Sequence, residues 1–407
     1  MTPVLHEPLA LIRRLSADGT PVALLTDPAV TGGALVARLR EGLLRAGVQI
    51  RGRAVHGEAH LDGVETLAHW LRGTRAGAVL AVGGGALLDQ AKLAAVCAAD
   101  PEAQRHLHAH GRSGLVTLPP RIRRNGTLAV VPTTLGTGSE ISTGACLAGA
   151  DRKRLVRGAA LLPDLVLRDA DVLTSLPPHL VREGVLEAFF RATGPYVGDG
   201  TPAPGDAETV AVAARLAYLG YAVRHAAADG AAPPPRLLLR IARLSAHSHR
   251  AALHGGRDPF AARGWFLAND LSSALGTRKT TAIAALLPPL WTAVTSGDTR
   301  WGAADRLTRL WGAVRAATGD TLPPDPATGI ARLLADWRIE PRLSADGDRL
   351  TGIARRAVHA WGGGLPMLGG LDHRAVRDML AAATHQGLPG HTGTGEKALA
   401  PRGQERR

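Results

Sequence analysis

Aromatic side chains are scarce in this chain, at 3% of 407 residues, while 45% of residues are hydrophobic. A core large enough for two domains is therefore available, but it must be built mainly from Ala, Leu and Val. Cysteine is scarcer still: Cys97 and Cys146 are the only two. That excludes a disulfide framework or a cysteine zinc cluster and fits a reducing cytoplasm. No apolar run reaches about 18 residues, so no transmembrane helix is expected. The segment Met1 to Ala17 has no signal-peptide apolar core. No repeat with a period of about 20–50 residues is present. Acidic residues are outnumbered, 35 against 48 basic ones, for a net charge of +13. The excess is nearly all arginine and is scattered. No basic segment carries interleaved aromatics and no nucleic-acid motif occurs, so nucleic acid is not the expected partner. Attraction to an anionic cofactor or an acidic partner fits better.

The first part alternates strand and helix. Val22–Thr26 reads as a buried strand ending at Asp27, and Ala34–Ala46 as a helix stopped by Gly47. Val48–Val55 and Leu61–Leu71 repeat the pattern, as do Ala78–Val82 with Leu87–Ala99. Leu128–Val131 is a further strand. Such alternation implies a parallel sheet with helices on both faces. After Leu176-Pro177-Pro178 the periodicity is helical, over roughly 179–193, 206–228, 235–254, 260–275, 279–295, 301–316, 328–337, 349–361 and 373–385. The expected organisation is an α/β domain at 1–176, an all-helical domain at 177–386 and a polar, disordered tail at 387–407.

Two stretches carry chemistry. In Gly83-Gly84-Gly85-Ala86-Leu87-Leu88-Asp89-Gln90-Ala91-Lys92 a strand ends in glycines and opens a helix. Glycine lets a phosphate approach the backbone, and the helix N-terminus presents free N–H groups and positive potential. Asp89 and Lys92, three apart, share a face of that helix. About fifty residues on comes Pro132-Thr133-Thr134-Leu135-Gly136-Thr137-Gly138-Ser139-Glu140. Asp27 is either a turn residue before Pro28 or a carboxylate for ribose hydroxyls that would repel a 2′-phosphate, which favours NAD over NADP.

Together and in this order, these motifs resemble the iron-containing alcohol dehydrogenase family, within the dehydroquinate synthase-like fold. The resemblance implies NAD as cofactor. Gly83, Gly84, Gly85 and Ala86 would lie at the pyrophosphate, with Asp89 and Lys92 following on the same helix. Thr133, Thr134 and Thr137 would line the adenosine and nicotinamide side. It also implies a cytoplasmic homodimer acting on a small molecule or a peptide, with no membrane partner.

The resemblance fails at the metal. The family supplies one aspartate and three histidines, and the corresponding positions here read Glu187, Arg191, Trp265 and Lys279, with Asn269 where a secondary active-site histidine stands. Arginine and lysine bring charge and no lone pair, so no metal is expected at the usual place. Glu187, Arg191, Asn269 and Lys279 become the candidate catalytic group: an organic cation polarising a carbonyl, or a charge pair filling a dead site. His247, His249 and His254 read as an exposed polar helix face in preference to a displaced metal site. The implied activity is metal-independent, NAD-dependent interconversion of a hydroxyl and a carbonyl. One setting known for such relatives is tailoring of ribosomally made peptides, by oxidation and decarboxylation of a C-terminal threonine. Two alternatives stay open. The spacing of Gly184 and Glu187 resembles the G-x-x-E of dehydroquinate synthases, which are sugar-phosphate cyclases, and the lost ligands suit a non-catalytic NAD-binding pseudoenzyme or scaffold.

Overall fold

A computed structural model describes residues 2–384 apart from 110–112, 150–151, 229–231, 259 and 363–364. The tail at 387–407, read above as disordered, lies outside the described residues. Nine strands occur among them: β1 (Val4–Leu5), β2 (Val22–Thr26), β3 (Ile50–Ala54), β4 (Ala78–Gly83), β5 (Leu115–Thr117), β6 (Thr127–Pro132), β7 (Gly144–Ala148), β8 (Lys153–Arg157) and β9 (Leu165–Leu167). Six form one sheet in the order β1-β9-β6-β4-β2-β3, with every pairing parallel. The rest make a small mixed sheet, β5-β8-β7. From Pro178 to Thr384 every regular element described is helical. An α/β half with a parallel sheet is thus followed by an all-α half.

A parallel sheet covered on both faces needs strands that are apolar throughout. In β2, Val22 and Leu24 enter one core, and Ala23 and Leu25 the other. In β4, Leu80 and Val82 oppose Ala81; in β6, Ala129 and Val131 oppose Leu128 and Val130. The core holding Val82 and Val131 continues into the helical half through Val181, Val185 and Phe189. These three belong to the long helix Pro178–Gly198, which also bears Glu187 and Arg191. The candidate catalytic side chains are therefore fixed relative to the sheet by buried packing.

The chain leaves β2 toward β3 on one side, and leaves β4 toward β6 on the other. The strand order therefore reverses between β2 and β4, and in open α/β sheets ligands bind beyond the C-terminal strand ends at such a point. Asp27 and Gly83 stand there.

The helical half follows the periodicity closely, with one departure. The segment 235–254 is not one helix but two, Pro235–His247 and Ala251–His254. At the break the Ser248 hydroxyl bonds back to the Ser245 carbonyl at 2.6 Å. Such side-chain bonds offer the backbone an alternative to continuing a helix.

Candidate active site

Strand β4 runs into Gly84, the N-cap of the helix Gly85–Ala99, and no side chain caps that helix. The bond from Leu88 N to Gly84 O, at 3.0 Å, closes its first turn. The N–H groups of Gly85, Ala86 and Leu87 therefore lie ahead of the intrahelical ladder. Gly84 and Gly85 are half-buried and Ala86 is exposed. Asp27 lies beside them, since a Cβ added at Gly83 would fall 3.2 Å from its Cβ. Asp27 also does the work of a turn residue: Oδ1 accepts from Ala29 N at 2.9 Å and caps the short helix Pro28–Thr31.

The second motif lies directly against the first. Thr133 N donates to Gly83 O at 3.0 Å, which continues the β4–β6 ladder past the strand ends. Added Cβ atoms at Gly84 and Gly85 would come within 3.1 Å of Thr134 and 2.7 Å of Thr137 respectively. The loop then turns through Gly136 (φ 95°) and Gly138 (φ 60°), backbone conformations that side chains rarely adopt. A Cβ on Gly136 would also meet Gly184 O at 2.6 Å, and one on Gly184 would meet Leu135 O at 2.7 Å. Gly184 thus lets the Glu187 helix touch the loop. The G-x-x-E spacing, which pointed to a cyclase, has a packing cause here.

Asp89 and Lys92 sit elsewhere than the cofactor-facing reading placed them. Lys92 is fully buried, with Nζ donating to Gly144 O at 2.8 Å and Ser139 Oγ at 3.1 Å. Asp89 accepts from Ser139 Oγ at 2.5 Å and from Cys146 N at 2.9 Å. The pair brace the Thr133–Ser139 loop and β7 from behind, and their polar atoms are taken by the protein. Burial pushes the Lys92 ammonium down to about 8, against the pull of Asp89, and pushes the Asp89 carboxyl up.

Glu187, Arg191, Trp265 and Lys279 come from three helices and meet. Lys279 Nζ is 2.6 Å from Glu187 Oε1, and the Arg191 guanidinium is 3.3 Å from the same oxygen. Both cations lie over the Trp265 ring, Lys279 at 4.1 Å and Arg191 at 4.8 Å from its centroid. Arg191 also donates to the carbonyls of Gly136 and Thr137, which ties the cluster to the loop. Burial opposes ionisation of Glu187, but Lys279 and Arg191 outweigh it and hold the carboxyl below its usual range. Two cations on one carboxylate leave one net positive charge. Asn269 stands one turn beyond Trp265 on the helix Arg263–Leu275, with its Oδ1 buried and unpartnered.

His249 was missed. His247, read as exposed, is in fact only partly so, with its side chain 23% exposed and bonded to Glu208 at 2.6 Å. His254 turns back to bond Ser248 O at 2.7 Å. The break after His247 carries the His249 ring onto Gly138, where an added Cβ would fall 1.9 Å from it. Only the Ser245 and Ser248 side chains hinted at that break.

The residues present fit a dinucleotide, given an uncapped helix end and a glycine cradle at the sheet's switch point. They do not fit iron. Lys279 points its ammonium at the one carboxylate, and among the described residues no three His, Cys, Asp or Glu side chains converge as a ligand set.

A parallel sheet with a bare helix end at its switch point, joined to an all-helical half, defines a protein of the dehydroquinate synthase-like fold. Residues 7–170 match the profile of the family described as iron-containing alcohol dehydrogenase, and over that stretch the chain is similar to that family. It is 29% identical to long-chain-alcohol dehydrogenase 1 of Geobacillus thermodenitrificans over 56% of this chain and 55% of that one. It is 31% identical to phosphonoacetaldehyde reductase of Streptomyces viridochromogenes over 41% of this chain and 42% of that one. The chain thus spans about half the length of the curated relatives it matches, or less. Among solved structures, Escherichia coli K-12 YqhD superposes with a TM-score of 0.78 at 18% identity, covering 94% of this chain and 97% of that one. NADH-dependent butanol dehydrogenase A of Thermotoga maritima does so with a TM-score of 0.73 at 15% identity, covering 94% and 96%. No helix among the described residues is long and apolar enough to cross a membrane.

Proposed function

We propose that the chain is an NAD-dependent oxidoreductase that interconverts a hydroxyl and a carbonyl without a metal ion, with its domain division at 176/177. The observation that carries this is the convergence of Lys279 and Arg191 on Glu187 over Trp265, at the positions where the family keeps its metal ligands. A metal there polarises the substrate oxygen, and the cluster's net positive charge is suited to the same electrophilic work. Lys279, about one-fifth exposed, holds the oxygen. Arg191 is pinned by two carbonyls and sets the field without moving. Asn269 orients the substrate through its free amide oxygen. The dinucleotide, held by Gly83–Gly85, Ala86, Asp27 and the loop Thr133–Thr137, supplies the hydride chemistry. Asp89 and Lys92 keep that loop in place. The rival reading, a scaffold without activity, draws on the fact that both cations are already engaged by Glu187.

A substrate carrying a carboxylate near its hydroxyl suits two neighbouring cations. A C-terminal threonine of a peptide is such a group: oxidation of its β-hydroxyl gives a β-keto acid, which loses carbon dioxide. The free thiols of Cys97 and Cys146 suit a reducing compartment for this work. Protein treated with EDTA is expected to keep NAD-linked turnover on a panel of primary alcohols and threonine-terminated peptides, with iron and zinc far below one per chain by elemental analysis. Stoichiometric metal, with activity lost on chelation and regained on adding it back, would sink the proposal.

NAD is expected to bind more tightly than NADP because Asp27 borders the site. Asp27→Ser should narrow that gap about tenfold, equivalent to removing ~1.4 kcal/mol of repulsion. Serine is as good an N-cap as aspartate, so the helix Pro28–Thr31 is retained. Equal affinities in the unaltered protein, measured by calorimetry, would remove the basis for this expectation.

A further inference from the structure

We infer that His249 is the proton acceptor of the site. This rests on the oxidoreductase reading and adds to it a residue outside the family's ligand positions. Three observations lead there. The His249 ring lies on Gly138, in the same loop whose Thr137 and Gly136 carbonyls hold Arg191. Its Nε2 is buried and has no hydrogen-bond partner. The Thr137 backbone favours the protonated form of the ring, which places it beside the imidazole.

The role requires the hydrogen on Nδ1, which leaves Nε2 a lone pair. That lone pair is sheltered from water and unused by the protein, which is the condition a substrate hydroxyl would satisfy. Burial, then the positive charges of Arg191, Lys92 and Lys279, hold the ring uncharged at neutral pH. Glu187, Glu140 and Asp89 are the carboxylates of the same region. Glu187 is paired with Lys279 and Arg191, Glu140 lies 3.8 Å from Arg168, and Asp89 is bonded to Ser139 and Cys146. None of the three has its charge free for the ring.

The step balances simply. An alcohol and oxidised nicotinamide give a carbonyl, reduced nicotinamide and one proton. The C–H bond breaks with its electron pair going to the nicotinamide, the O–H bond breaks with its pair forming C=O, and the proton forms a bond to His249 Nε2. The cations beside the ring favour the oxyanion that forms on the substrate and then help expel the proton from the imidazolium.

The test uses full-length protein labelled with 15N-histidine, with and without NAD and trifluoroethanol, an alcohol that resists oxidation. The His249 signals, assigned with His249→Asn, are expected to show hydrogen on Nδ1 from pH 6 to 8 and an Nε2 shift only when NAD and trifluoroethanol are both present. In turnover assays on the alcohol panel, His249→Asn and His249→Gln are expected to lose about 100-fold in kcat and to lose the acid limb of the pH profile. NAD affinity and melting temperature should stay near those of the parent. Hydrogen on Nε2, a cationic ring at pH 7, or no Nε2 response to trifluoroethanol would overturn the assignment. So would either folded variant turning over within threefold of the parent. If the parent oxidises nothing on the panel, the oxidoreductase reading fails by itself, and the resonance data still decide whether His249 receives a hydroxyl.

Discussion

Lys279→Met is expected to lower turnover about 10²- to 10³-fold, the loss typical of removing one donor aimed at a developing oxyanion. Affinity for NAD should be nearly unchanged, because Lys279 touches Glu187 and Trp265 and none of the glycine cradle. The effect on folding is smaller and has a defined direction. Glu187 keeps Arg191 as partner at 3.3 Å, so the loss should fall below the ~3–5 kcal/mol that follows removal of a sole buried partner. With Lys279 present, the carboxyl titrates below its usual value of 4.5. It therefore contributes stability above that value, and the contribution is lost as pH falls through the lowered one. In Lys279→Met burial has less to oppose it, so the carboxyl titrates higher and acid unfolding should begin at a higher pH. Lys279→Arg retains the charge and should recover part of the turnover. Kinetics, NAD calorimetry and acid melts on the three proteins check these outcomes together. A Lys279→Met protein with parental kcat would reduce the cluster to a structural charge pair.

What the sequence made legible was whatever carried its own periodicity. The helices of the second half show apolar positions at helical spacing and are bounded by prolines and glycines. Lys279–Thr295 and Asp206–Ala228 accordingly begin and end at the expected residues. Central strands β2, β4 and β6 show as apolar runs because both faces are buried. Strands β1 and β9 are two and three residues long, too short for any period, and become strands only by pairing with each other and with β6. The positions reached by counting along the resemblance, Glu187, Arg191, Trp265 and Lys279, do meet in the structure. Two kinds of feature were hidden. Lys92 was grouped with the cofactor residues because its partners Ser139 and Gly144 lie some fifty residues away and only the tertiary fold brings them to it. His249 looked solvated because helical spacing was carried through Ser248, where the backbone leaves the helix. One local break turned a surface residue into a member of the site.

Gly85→Val should weaken NAD binding by about 3 kcal/mol, comparable to losing two charge-assisted hydrogen bonds. The reason first suggested by the sequence, a side chain standing where a phosphate should, is incomplete. A Cβ at Gly85 would lie 2.7 Å from Thr137 Cγ2, 2.9 Å from its Cβ and 3.0 Å from its Oγ1. Thr137 must move, and its carbonyl holds Arg191 at 3.2 Å. The substitution should therefore cost turnover as well as binding. Gly84→Val meets Thr134 at 3.1 Å and lacks that link to Arg191, so it should weaken NAD binding with less effect on kcat for bound cofactor. Gly73→Ala, where no heavy atom lies within 4 Å of an added Cβ, is the matched control and should leave both unchanged. The two causes separate in a double variant. Thr137→Ala removes the Cγ2 and Oγ1 contacts, so Gly85→Val combined with Thr137→Ala should regain much of the lost affinity if the loop is what the valine displaces. If the double variant binds no better than Gly85→Val alone, the valine obstructs the dinucleotide directly. If calorimetry finds Gly85→Val and Gly84→Val both binding NAD as tightly as the parent, the cofactor does not occupy the switch point between β2 and β4.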